Sequence, residues 1–144
     1  MAVVAASEPL LSIRDLRVTF GQAGHQLTAV DGVDFDVQPG EVLGIAGESG
    51  SGKSLTLRSI LRLVKGSGRI SGRVLWRGRD VLGMNDAELR RVRGGEIAMI
   101  FQDPMTSLNP VLTVGRQLIE AIVLHRDVTK AQAKARALEM LKAV

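Results

Sequence analysis

The chain has 144 residues, 45% of them hydrophobic and 24% charged, which is enough for a domain with a core and excludes a disordered or collagen-like chain. There is no cysteine, and His25 and His125 are the only histidines, so neither a disulfide framework nor a Cys/His zinc site can be built. Lysine and arginine outnumber aspartate and glutamate by 19 to 15, a net charge of +4 that suits an anionic partner such as a nucleotide, a nucleic acid or a lipid headgroup.

Met1 to Ala6 is apolar, but Ser7, Glu8 and Pro9 interrupt it and no Lys or Arg precedes Arg14, unlike a secretory signal. No apolar run approaches the roughly 18 residues of a membrane-spanning helix. The expectation is a cytoplasmic protein without direct membrane insertion.

Leu11, Ile13, Leu16, Val18 and Phe20 alternate with polar residues apart from one extra residue near Asp15, which predicts a half-buried strand with a bulge there. A polar turn from Gly21 to Gln26 follows. Val33, Phe35 and Val37 alternate with Asp34 and Asp36, a second strand that Pro39-Gly40 ends with a type II turn. Val42 to Ala46 is continuously apolar, as expected of a strand covered on both faces of a parallel sheet, and Ile97 to Phe101 has the same character.

Between those runs, Leu57, Ile60, Leu61 and Val64 stand at helical spacing, with Gly66 where the helix is expected to end. Val74 and Trp76 alternate with Arg73 and Arg77 before Gly78, predicting a short antiparallel piece, and a helix follows around Asp86 to Val92. Val114 to Leu124 predicts another helix, and Thr129-Lys130-Ala131-Gln132 is a capping box opening a last one. Ala137, Leu138, Leu141 and Val144 give that helix an apolar face that reaches the final residue, so the chain reads as ending within a structure, or as ending in a frayed helix.

The residues that carry chemistry are Gly47-Glu48-Ser49-Gly50-Ser51-Gly52-Lys53-Ser54, which fit G-x-x-x-x-G-K-[ST] between an apolar run and a helix. Glycines let successive N–H groups turn inward as a nest for a phosphate chain. The helix adds the positive end of its dipole, Lys53 is placed to reach the β and γ phosphates, and the Ser54 hydroxyl is a ligand for Mg²⁺. The expected ligand is a nucleoside triphosphate with magnesium. A glycine-rich turn that binds nothing leaves Lys53 and Ser54 without a purpose.

Three stretches resemble the ATP-binding cassette (ABC) transporter ATPases, specifically the ATP-binding subunits of oligopeptide, dipeptide and nickel importers: Ala29 to Glu41, Gly44 to Ser54 and Ile97 to Gly115. The most specific phrase is FQDPMTSLNP, from Phe101 to Pro110. The resemblance implies an α/β P-loop NTPase of ABC type, with an antiparallel β subdomain and a parallel core sheet in 1–104 and the start of a helical subdomain in 105–144. It makes Gln102 the Q-loop glutamine that approaches Mg²⁺ and the γ-phosphate; read without it, Gln102 is a polar cap on a strand end. It places Phe20 where the family stacks an aromatic ring on adenine, although Phe20 equally continues the buried row of its strand.

The same resemblance turns Met105, Leu108 and Val111 toward a transmembrane permease subunit, against ordinary loop packing as the alternative. It also implies a second ATP-binding subunit in a head-to-tail dimer, no nucleic-acid partner, and a peripheral location on the inner face of the cell membrane. The Arg90, Arg91 and Arg93 cluster is flanked by Glu88 and Glu96 and reads as a solvated helix face, and the lone His125 reads as surface.

The signature motif LSGGQ, the Walker B strand and the switch histidine of the family do not occur in these 144 residues. The chain therefore resembles the N-terminal half of such a subunit, with the phosphate cradle but no base, and is expected to bind nucleotide weakly or not at all and not to turn over ATP. Strands without neighbours lead to an expectation of low stability. The competing functions are a degenerate nucleotide-binding fragment and another P-loop enzyme such as a small-molecule kinase, which needs an arginine-rich lid not evident here.

Overall fold

The alternating run from Leu11 becomes strand β1 (Leu11–Gln22), paired antiparallel with β2 (His25–Val37) on one side and β3 (Arg69–Trp76) on the other. A two-residue strand β4 (Arg79–Asp80) pairs with β3, giving the order β2-β1-β3-β4. Arg77 and Gly78 join them with φ of 48° and 75°, the double positive φ that matches strand twist in a tight hairpin. This is a computed structural model, and it describes residues 8–22, 25–102 and 108–144. The chain divides into two compact units, Met1–Leu89 and Arg90–Val144, taken in turn below.

The extra residue of β1 is a bulge. Asp15 has φ 46°, and the register of β1 shifts there against both neighbours. Each neighbour gives way with a glycine: Gly32 in β2 has φ 65°, and Gly72 in β3 has φ 98° where a Cβ atom would stand 2.3 Å from the Asp15 carbonyl oxygen. The bulge is held by side chains as well. The Asp15 N–H donates to Asp34 Oδ1 at 3.0 Å, and Arg17 donates to Asp15 Oδ1 at 2.8 and 3.0 Å and to Asp31. β2 begins at His25, well before the run that its alternation marks, because Gly32 interrupts the period of two and hides the pattern upstream.

Helix α1 (Lys53–Ile60) packs against β1 and β2. Its Thr56, Ser59 and Ile60 are buried, as are Ile13, Leu16, Val18, Val30, Val74 and Trp76 of the sheet. The two buried hydroxyls donate to carbonyls one turn back, Thr56 to Gly52 at 3.1 Å and Ser59 to Leu55 at 2.7 Å, so they carry no unmet polar cost. α1 ends earlier than the spacing of Leu61 and Val64 predicts. The Leu63 N–H donates to the Arg58 carbonyl at 2.8 Å and the Arg62 N–H to the Ser59 carbonyl at 3.0 Å, a Schellman closure with Arg62 at φ 52° where glycine is usual. The Arg62 guanidinium donates to the Met84 carbonyl at 2.6 Å, which anchors that residue in the unusual conformation.

The run Val42 to Ala46 departs from its expected strand state. A turn precedes it, in which the Glu41 N–H donates to the Gln38 carbonyl at 3.1 Å and Gly40 takes φ 77°, as the Pro39-Gly40 pair predicts. The run itself has no ladder partner among the described residues, and Val42 is 96% exposed. Ile97 to Phe101 likewise forms only the isolated bridge Arg93–Ile97, with Ile100 98% exposed. Parallel strands exist only with hydrogen-bonded neighbours, and among the described residues neither run is part of a sheet.

Helix α2 (Asp86–Gly95) crosses from the first unit into the second and is kinked at Arg93 and Gly94, where the backbone leaves helical angles. Asn85 caps it, accepting from the amides of Ala87 and Glu88 at 3.0 Å each, while Glu88 accepts from the Asn85 N–H at 2.9 Å. The second unit otherwise consists of α3 (Val114–His125) packed on α4 (Lys130–Lys142), with Ala133 and Ala137 buried. The expected capping box is present: Thr129 Oγ1 accepts from the Gln132 N–H at 3.3 Å and Gln132 accepts from the Thr129 N–H at 2.9 Å. No helix among the described residues is long and apolar enough to cross a membrane.

Candidate nucleotide-binding site

The loop Gly47 to Gly52 leads from the apolar run Val42 to Ala46 into the N-terminus of α1. Gly52 is the N-cap with φ 88°, and it touches the sheet: a Cβ atom there would lie 2.8 Å from the Ala29 carbonyl oxygen and 3.4 Å from a Val30 methyl. Only glycine allows that turn and that approach together. Gly50 also has positive φ, 83°, but faces open space.

Of the backbone N–H groups from Glu48 to Leu55, only that of Ser51 has an acceptor within the described chain, the Glu48 carbonyl at 3.3 Å. No side chain caps the helix and no acidic residue lies in its first turn. The site therefore offers a row of free donors at the positive end of a helix, the electrostatics that a phosphate chain requires.

Lys53 folds back over this loop. Its ammonium group donates to the carbonyls of Gly47 and Glu48 at 2.7 and 2.5 Å and to Ser51 Oγ at 3.1 Å. Gly47 is constrained by the same cluster, since a Cβ atom on it would stand 2.8 Å from Ser51 Oγ. Ser54, next in the helix, is exposed. Beside the loop lies a cavity of about 470 Å³ lined by Val33 and Phe35 of β2, Leu43 to Gly47, Ser51, Lys53 and Thr56.

Phe20 is half-buried on β1, opposite Leu27 in the hairpin. Its ring lies over Gly68, where a Cβ atom would stand 2.8 Å from Cε1 and 2.3 Å from a Val64 methyl. It therefore packs on the turn after α1. The P-loop touches the same hairpin at Ala29 and Val30, two or three residues along from Leu27.

Gln102 belongs to the second unit and is exposed, as are Leu108 and Val111, while Met105 lies outside the described residues. Arg90 and Arg91 are exposed, and Arg93 is half-buried at the kink. His125 is exposed but not isolated, for a Cβ atom on Gly94 would lie 2.6 Å from its Nε2. Two features had no sequence signal. Leu61 and Val64 continue the helical spacing and conceal the Arg62 closure, and nothing local marks Ala29 as the support of Gly52.

A glycine loop with free amides and a folded-in lysine, leading into a helix packed on a sheet, fits a P-loop NTPase fold. The chain belongs to the ABC transporter family, whose profile matches residues 30–144. It is 51% identical over 137 residues to the peptidoglycan transport ATP-binding protein YejF of Agrobacterium fabrum, covering 94% of this chain and 25% of that protein. It is 46% identical over 138 residues to the oligopeptide transport ATP-binding protein OppD of Escherichia coli, covering 96% of this chain and 41% of that one. Among solved structures it resembles the ATP-binding cassette MJ0796, a dimer bound to ADP and Pi, with 27% identity, a TM-score of 0.76, and coverage of 92% of this chain and 56% of that one. The chain thus spans less than half the length of these two curated relatives.

Proposed function

We propose that the chain is the N-terminal portion of the ATP-binding, energy-coupling subunit of an importer for peptides or related solutes. The observation that carries the reading is the loop 47–54, with free amides, an open helix N-terminus and Lys53 inside it, in a chain of the ABC transporter family. The similarity to YejF and OppD, a peptidoglycan and an oligopeptide transport ATP-binding protein, supports the solute class.

In this reading the amides of Gly47 to Ser54 bind the phosphates, and Lys53 neutralises charge at their far end. The donors fit the ligand, because backbone N–H groups, the Lys53 ammonium and the Ser51 and Ser54 hydroxyls can all donate to phosphate oxygens. Ser54 would hold Mg²⁺ through its hydroxyl, the family resemblance gives Gln102 a ligand role of its own, and the ion would supply positive charge to the phosphates. Phe20 would stack on adenine; its position on the hairpin that supports Gly52 favours this role. Exposed Leu108 and Val111, together with Met105, would meet a transmembrane permease subunit, and a second ATP-binding subunit would complete the nucleotide site. The location that follows is the cytoplasmic face of the cell membrane, held there by the permease.

The test is titration of the chain with a fluorescent ATP analogue and Mg²⁺ beside Lys53→Ala. The expected result is weak binding that falls about tenfold or more in the variant, the loss of a charge-assisted contact. Equal binding by both chains contradicts the assignment of the loop. No ATP turnover above the Lys53→Ala control is expected of the 144 residues, and turnover above it counts against the need for the groups they lack.

A further inference from the structure

An ammonium group has three N–H donors and no acceptor. In the loop all three acceptor contacts of Lys53 are internal: the Gly47 carbonyl at 2.7 Å, the Glu48 carbonyl at 2.5 Å and Ser51 Oγ at 3.1 Å. Any phosphate oxygen that Lys53 is to hold must therefore displace one of them. The two carbonyls are fixed by the backbone. Ser51 Oγ is the longest contact and the only acceptor on a side chain that rotates, so it is the one the geometry releases first.

We propose that Ser51 is a positioning residue, whose hydroxyl holds the Lys53 ammonium folded into the loop and sets how readily that ammonium becomes free. The inference rests on loop 47–54 being the phosphate site. Between Gly47 and Gly52, Ser51 is the residue whose side chain is hydrogen-bonded to Lys53, and that hydroxyl also lies where a Cβ atom on Gly47 would meet it at 2.8 Å. The hydroxyl is thus wedged between Gly47 and Lys53, and a hydrophobic replacement leaves one ammonium donor without its acceptor.

The test reads the amine of Lys53 directly. The whole chain, without nucleotide, is labelled with an amine-reactive acylating reagent, and the rates at Lys53, Lys65 and Lys130 are followed by mass spectrometry after digestion. Ser51→Ala is expected to label at Lys53 about threefold faster or more, the effect of one lost hydrogen bond, with Lys65 and Lys130 unchanged. Ser51→Thr, which keeps the hydroxyl, is expected at the parent rate. If Ser51→Ala loosens the fold and speeds all three lysines together, Ser51→Gly removes the hydroxyl without adding a methyl and takes its place. A hydroxyl-free variant labelling Lys53 at the parent rate, or Ser51→Thr labelling as fast as Ser51→Ala, overturns the inference. Protection of Lys53 by ATP and Mg²⁺ is a separate arm: its absence counts against the nucleotide reading and leaves the result for Ser51 standing.

Discussion

Gly52 rests on strand β2 so closely that a single added carbon would lie 2.8 Å from the Ala29 carbonyl oxygen. The glycine loop is therefore located by the antiparallel sheet, through the close approach of a loop glycine to a backbone carbonyl. The left-handed turn at Gly52, φ 88°, then aims the first amides of α1 back across the loop.

Gly52→Ala meets two obstacles. The left-handed conformation costs a side-chain-bearing residue about 1 to 2 kcal/mol, and the contact with Ala29 forces α1 outward in addition. The expected outcome in urea melts is a loss of at least that size, with nucleotide binding lost as well because the amides are re-aimed. Binding at the parent affinity would show that the contact does not position the loop.

Gly72→Ala is expected to be worse for the sheet and neutral in its direct effect on the loop. Its Cβ would lie 2.3 Å from the Asp15 carbonyl oxygen and 2.7 Å from that of Arg14, both backbone atoms that cannot step aside without undoing the bulge. A loss of about 2 kcal/mol or more is expected, in the range of other overpacked and strained sites. Thermal denaturation followed by circular dichroism reads it.

How much of this was legible beforehand depends on whether the signal was local. The bulge at Asp15, the turn at Pro39-Gly40, the capping box at Thr129 and the glycine loop that enters α1 each depend on a few adjacent residues, and each of these local features appears where the sequence places it. The start of β2 was hidden because Gly32 breaks the alternation by which strands are recognised. Val42 to Ala46 carries the composition of a buried strand, but strand pairing is set by a distant partner, and none is among the described residues. The role proposed for Gln102 rests on family resemblance alone, since a glutamine in a loop has no chemical mark of its own.

Arg62 separates backbone strain from side-chain anchoring. Arg62→Ala keeps the unfavourable φ of 52° and loses the bond to Met84, whereas Arg62→Gly loses the same bond but relieves the strain. The glycine variant is expected to be more stable than the alanine variant by about 1 kcal/mol. Paired urea titrations measure the difference; the reverse order contradicts the account of how α1 ends.

Acid should weaken the sheet through Asp36. Its carboxylate is held below the usual range, first by the hydrogen bond from Arg14, at 2.6 Å, and then by that from Ser12. A lowered folded-state value means that the stabilisation is fully present above the unfolded value of about 3.9 and is lost as pH falls through the lower folded value. Asp36→Asn is therefore expected to be less stable than the parent at pH 7, with the gap closing below about pH 4. Because the pair is exposed, added salt is expected to narrow the gap too. Urea melts from pH 7 to 3 check both trends.

The central claim is that the amides from residue 47 to 54 bind a triphosphate, and the most direct measurement is amide chemical-shift mapping of the ¹⁵N-labelled chain as ATP and Mg²⁺ are added. Progressive shifts concentrated in Gly47 to Ser54, reduced in Lys53→Ala, are the expected result. Shifts that cluster elsewhere while this loop stays still would contradict it.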